Sequence, residues 1–110
     1  MKKYYKQKEK YILDFSNINS AEDMHKIIKC EFNFPDYYGM NWDAFWDCMT
    51  DMVGTRLDIE VIGLDKIYSK FAKSVDILID SLRDLKHIYN DKYSNLIKIV
   101  IHHGQSSVEI

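Results

Sequence analysis

The sequence is poor in residues that break or cross-link a chain: 110 residues contain one proline, four glycines and two cysteines. Cys30 and Cys48 are in no CxxC spacing, which excludes a sequence-evident zinc knuckle or disulfide framework and leaves two thiols expected to be free and buried. So little proline and glycine excludes a collagenous or low-complexity chain. Long apolar runs are absent as well. None approaches the roughly 18 residues of a membrane span, and the opening MKKYYKQKEK offers no apolar stretch that could act as a secretory signal. A soluble protein in the cytoplasm is the expectation. What is present, 46% hydrophobic and 29% charged residues, is the make-up of a folded domain, and the length suits one core. We therefore read residues 1–110 as a single domain, with 1–10 as a flexible Lys-rich tail.

The net charge of −2 conceals an asymmetry. Five Lys against Glu9 give the first ten residues +4, so the remainder carries −6. From Glu31 to Asp65 eight acids (Glu31, Asp36, Asp43, Asp47, Asp51, Asp58, Glu60, Asp65) face Arg56 alone, a local −7. Such a field repels the phosphates of nucleic acid and attracts a cationic partner. An acidic surface kept for solubility is the plainer explanation of the charge taken alone.

The apolar spacing predicts the elements. Tyr11–Phe15 reads as a buried strand, followed by turn-prone residues 16–19. Ser20 to Asp23 resembles a capping box, and Met24, Ile27, Ile28 and Phe32 recur at helical spacing, predicting a helix to about Glu31. Residues 34–40 read as an irregular connection around Pro35, with Gly39 free to take positive φ, and Asn41 caps a second helix over about 42–52. A second strand over 57–64, a short helix over 65–71, a long helix from Ser74 to about Tyr89 and a third strand over 96–101 complete the pattern, with a loose tail after Gly104. Strands separated by helices pair in parallel through right-handed crossovers. The expected fold is α/β: a small three-stranded parallel sheet flanked by about four helices.

The second helix carries the information. At about 100° per residue, Trp42, Phe45, Met49 and Met52 share its core side, with Cys48 and Val53 flanking. On the other side Asp43, Asp47 and Asp51 stack at intervals of four, beside Thr50, with Trp46 at the boundary. Like charges at i,i+4 destabilise a helix by roughly 0.2–0.5 kcal/mol per pair. Capping and the helix dipole explain Asn41 and Asp43; they do not explain Asp47, and they disfavour Asp51 near the C-terminal end. Trp46 suits either an interface anchor or packing at the core edge.

Catalysis by these carboxylates would need a cleft that shifts their pKa values, which a convex helix face does not supply. His102 and His103, adjacent on a strand end, point to opposite faces and cannot both join a metal cluster. His25 and His87 read as ordinary helix residues. No nucleophile lies at motif spacing from a base and no glycine loop cradles phosphate, so neither metal nor cofactor is expected.

Pro35-Asp-Tyr-Tyr-Gly-Met-Asn-Trp-Asp-Ala-Phe-Trp-Asp-Cys-Met-Thr50 resembles the barstar-like family of intracellular ribonuclease inhibitors, whose run is P-[ED]-Y-Y-G-x-N-x-D-A-x-W-D. The order of elements from about Tyr11 to about His103 is similar to that family's small parallel sheet and flanking helices. The resemblance implies a non-enzymatic inhibitor, monomeric when free, whose helix and preceding loop enter the cationic active site of a barnase-like or toxin-type ribonuclease, with a carboxylate replacing a substrate phosphate. Carried residue by residue, it implies contacts by Tyr37, Gly39, Asn41, Asp43, Trp46, Asp47 and Thr50, with Asp47 central, and a further acidic contact from the long helix at Asp84. The chain departs from the pattern where it has Asp51 in place of Gly and Met52 in place of an aromatic residue, which bears on lost stacking and added charge. Two other readings remain open: a barstar-like interaction module for a different basic partner, and an enzyme using the carboxylates on a metabolite or metal.

Overall fold

The computed structural model describes residues 8–89 and 96–110. The Lys-rich tail expected at the N-terminus lies mostly outside the described residues. Within them run β1 (Tyr11–Asp14), α1 (Ala21–Phe32), α2 (Trp42–Asp51), β2 (Leu57–Ile62), α3 (Leu64–Tyr89), β3 (Ile97–His103) and β4 (Ser106–Glu109). The strands form one sheet in the order β1-β2-β3-β4, with β1 and β3 each parallel to β2. The register sets Tyr11 against Ile59 and Ile59 against Ile99.

The strand sequences alternate, and the alternation decides the layers. Tyr11, Leu13, Leu57, Ile59, Val61, Ile97, Ile99 and Ile101 are buried beneath the helices, whose own inward residues include Met24, Ile28, Phe45, Met49, Leu78, Leu82 and Leu85. Their neighbours point the other way and stay partly or fully exposed, among them Ile12, Glu60 and His102. There Glu60 joins His102 at 2.8 Å and Lys10 by an ion pair. His103 is exposed on the other side of β3, as expected for adjacent strand residues.

Three expectations change. The tail after Gly104 is a fourth strand: Gly104 turns at φ 58° and residues 106–109 pair antiparallel with β3, making the sheet mixed. Lys86 of α3 holds this strand through Glu109 at 3.6 Å and the Ile110 carbonyl. The short and long helices expected after β2 are both there, joined end to end as α3 across the non-helical Phe71 (φ −129°, ψ 35°). β2 stops at Ile62 because Gly63, at φ 86°, turns the chain directly into α3. Cys30 is exposed while Cys48 is buried; two residues beyond the inward Ile28, Cys30 is rotated about 200° to the solvent side of α1.

Candidate functional site

α1 begins as its sequence predicts. Ser20 accepts from the Asp23 N–H at 3.2 Å and Asp23 accepts from the Asn19 N–H at 2.9 Å, a bond that holds the Asp23 carboxyl below its ordinary pKa. The helix ends at Asn33 in the left-handed region (φ 54°), whose N–H bonds the carbonyls of Lys29 and Cys30. The connection to α2 then makes one tight turn, Tyr38 N–H to Pro35 carbonyl at 2.9 Å.

The two tyrosines of that turn diverge. Tyr37 is 76% exposed and Tyr38 is 4% exposed. The family resemblance implied a contact by Tyr37 and gave Tyr38 no role. Positive φ falls on Met40 (55°) and not on Gly39, contrary to expectation. A left-handed non-glycine residue costs roughly 1–2 kcal/mol, so this bend is held by its surroundings. A Cβ on Gly39 would stand 2.9 Å from the Asn41 amide nitrogen, so the Asn41 side chain would have to shift to admit it.

Asn41 takes the extended N-cap conformation and accepts from the Ala44 N–H at 2.8 Å. From this start α2 buries Phe45, Cys48 and Met49, with Trp42, Ala44 and Trp46 half-buried against the core. Asp43, Asp47 and Asp51 are exposed. Among the described residues no cation pairs with any of the three, although Lys29 reaches Asp36 at 3.6 Å, Lys8 reaches Glu31 at 3.2 Å and Lys10 reaches Glu60. The last turn of α2 has no basic residue. Thr50 turns its hydroxyl back onto the Asp47 carbonyl at 2.9 Å.

The site therefore gathers Tyr37, Gly39, Asn41, Asp43, Trp46, Asp47 and Thr50 on one loop and the helix it starts. Asp84 is exposed on α3 between buried Leu82 and Leu85, and among the described residues no bond ties it to the α2 row. The two departures separate cleanly. Met52 is 2% exposed and caps α2 from inside the core, so it presents no surface for stacking, whereas Asp51 extends the exposed row by one charge.

Beneath the site runs a continuous series of ring contacts that sequence reading missed. Tyr11 and Phe32 stack at 4.8 Å, Phe32 and Phe34 at 5.4 Å, and Phe34 meets Tyr38 at 5.2 Å. The series passes to His25 at 5.9 Å, from His25 to Trp42 at 4.3 Å, and from Trp42 to Phe45 at 5.5 Å. It thus links β1, α1, the loop and α2. His25, read as an ordinary helix residue, is in α1 but 6% exposed, with Nδ1 2.6 Å from the Tyr38 hydroxyl. Burial lowers its pKa, opposed in part by Glu22, and burial raises that of Tyr38.

Among the described residues no His, Cys, Asp and Glu converge as a metal site, and no helix is long and apolar enough to cross a membrane.

The profile of the family described as "Barstar (barnase inhibitor)" matches residues 9–96. A Bacillus subtilis (strain 168) protein named "Putative ribonuclease inhibitor YrdF" is 27% identical over 89 residues, covering 81% of this chain and 98% of that protein. With the matched segment running from before β1 to the start of β3, and with the acidic helix and its loop inside it, the chain belongs to the barstar family.

Proposed function

We propose that this protein inhibits a ribonuclease of the barnase-like or toxin type in the cytoplasm, closing a cationic active site with the Tyr37–Thr50 loop and helix. One observation carries the reading: Asp43, Asp47 and Asp51 stand exposed in a row with no cation paired to them among the described residues. The row opposes helix formation, and it complements an enzyme cleft built to hold phosphodiesters. Asp47, central in the row, takes the place of a substrate phosphate. Tyr37 and Trp46 supply aromatic contact area. The protein performs no chemistry itself, in keeping with a family described as a barnase inhibitor.

The test is titration of the protein into a barnase-like ribonuclease at low and physiological salt, following RNA cleavage. Stoichiometric inhibition is expected, with association slowing as salt rises because opposite fields steer the encounter. Full enzyme activity beside a folded, equimolar protein would overturn the barnase-like target.

A further inference from the structure

The loop that presents Tyr37, Gly39 and Asn41 has little backbone bonding of its own. Between Phe34 and Asn41 a backbone turn bond runs from the Tyr38 N–H to the Pro35 carbonyl, and the loop contains a left-handed Met40. Its fully buried anchors are Phe34 and Tyr38, each 4% exposed, with Met40 partly buried against the core. Tyr38 ends on His25 of α1, and His25 also lies against Trp42, the first residue of α2. His25 thus meets a ring of the loop, Tyr38, and a ring of the acidic helix, Trp42.

We propose that His25 is a positioning residue for the recognition loop: through the Tyr38 hydroxyl and the Trp42 ring it fixes Tyr37–Asn41 relative to α2, and only neutral His25 does so. The chemistry of the contact supplies the reason. We assign the contact as the Tyr38 O–H donating to an unprotonated Nδ1, which puts the proton of the neutral imidazole on Nε2. Protonation at Nδ1 turns the acceptor into a second donor, and the Tyr38 O–H must seek another partner in a site 4–6% exposed. The groups facing the ring are the Tyr38 hydroxyl from the loop, the uncharged indole of Trp42 from α2, and Glu22, one turn back on α1. Glu22 favours the charged ring and burial opposes it more strongly. The loop is therefore locked near neutrality and released as His25 gains a proton.

The positioning claim stands on the structure of the free protein; its consequence for ribonuclease binding rests on the inhibitor reading above. The experiment separates them. An NMR pH titration of the full chain follows the His25 ring together with the backbone amides of Tyr37, Gly39 and Asn41. The expected result is one shared midpoint for ring and loop amides, and loss of that shared step in Tyr38→Phe, where the His25 midpoint moves upward because its neutral form has lost a hydrogen bond. Loop amides indifferent to the ring's titration would overturn the proposal, whatever the protein inhibits. In parallel, Kd for a barnase-like ribonuclease is measured against pH for wild type and His25→Gln, and the ratio of the two cancels groups titrating on the enzyme. A wild-type affinity about tenfold tighter near pH 8, converging on the variant below the His25 midpoint, carries the lock into binding. A pH-independent ratio would confine His25 to a structural role. Shared loop titration with no inhibition by wild type would keep the lock and reject the inhibitor reading.

Discussion

Asn41 bonds both sides of the junction between loop and helix: its amide oxygen accepts from Ala44 N–H at 2.8 Å while its amide nitrogen donates to the Gly39 carbonyl at 3.1 Å. One side chain thus starts α2 and ties the preceding turn to it. Asn41→Ala removes both bonds and is expected to lower stability by about 1 kcal/mol. Asn41→Asp keeps an acceptor for the cap and loses the donor to Gly39, so its stability should stay near wild type while the Gly39 amide shift moves. Urea denaturation and an NMR amide spectrum of the two variants check this.

Asp47 is exposed on a helix whose neighbouring row residues share its sign. Asp47→Ala relieves like-charge repulsion with Asp43 and Asp51 and introduces a better helix former, so the melting temperature should hold or rise slightly. Binding should weaken by at least about 2 kcal/mol if the residue is a central anchor. Calorimetric melting beside inhibition titration gives both numbers; equal losses of fold and binding would contradict the assignment.

Stability should depend on pH in two steps of the same sign. His25 is buried in its neutral form and its pKa is lowered by burial, so the unfolded chain binds the proton first. Its contribution is intact above the ordinary histidine value of about 6.5 and is lost as pH falls from there through the lowered folded value. Glu60 is held down by Lys10 and His102, Asp14 by Ser16 and Asp23 by the Asn19 N–H. These carboxylates contribute above their ordinary range and lose that contribution at still lower pH. Urea midpoints between pH 8 and 3 should be flat, then fall in two stages, and His25→Gln should flatten the upper one.

A Cβ on Gly63 would meet the Ser16 backbone nitrogen at 2.6 Å, at a residue whose φ is 86°. The chain ends of β1 and β2 approach there, with Phe15 N–H bonded to the Ile62 carbonyl at 2.9 Å. Gly63→Ala combines left-handed strain with a backbone clash, and a loss of at least about 1–3 kcal/mol is expected from the conformational term alone. A chemical denaturation curve measures it; a loss below about 0.5 kcal/mol would show that the turn relaxes freely.

The elements that local periodicity can encode were legible in the sequence. Met24, Ile28 and Phe32 marked α1, Phe45 and Met49 marked α2, and the alternation through Ile97, Ile99 and Ile101 marked β3. The acidic row was legible for the same reason, since Asp43, Asp47 and Asp51 follow the helical repeat. The Asn41 cap was legible because capping is read three residues along the chain.

What tertiary structure decided is what depends on residues far apart in the chain. Ser106–Glu109 is exposed throughout, so no hydrophobic pattern announces it, and only the open edge of β3 makes it a strand. His25 became the neighbour of Tyr38 and Trp42 only when α1 and α2 packed side by side. The sequence by itself determined the helices, the parallel strands and the charge of the face, because each is written in short-range spacing. The fold alone placed a titratable ring beneath that face, because burial and hydrogen-bond partnership are properties of packing and not of any segment.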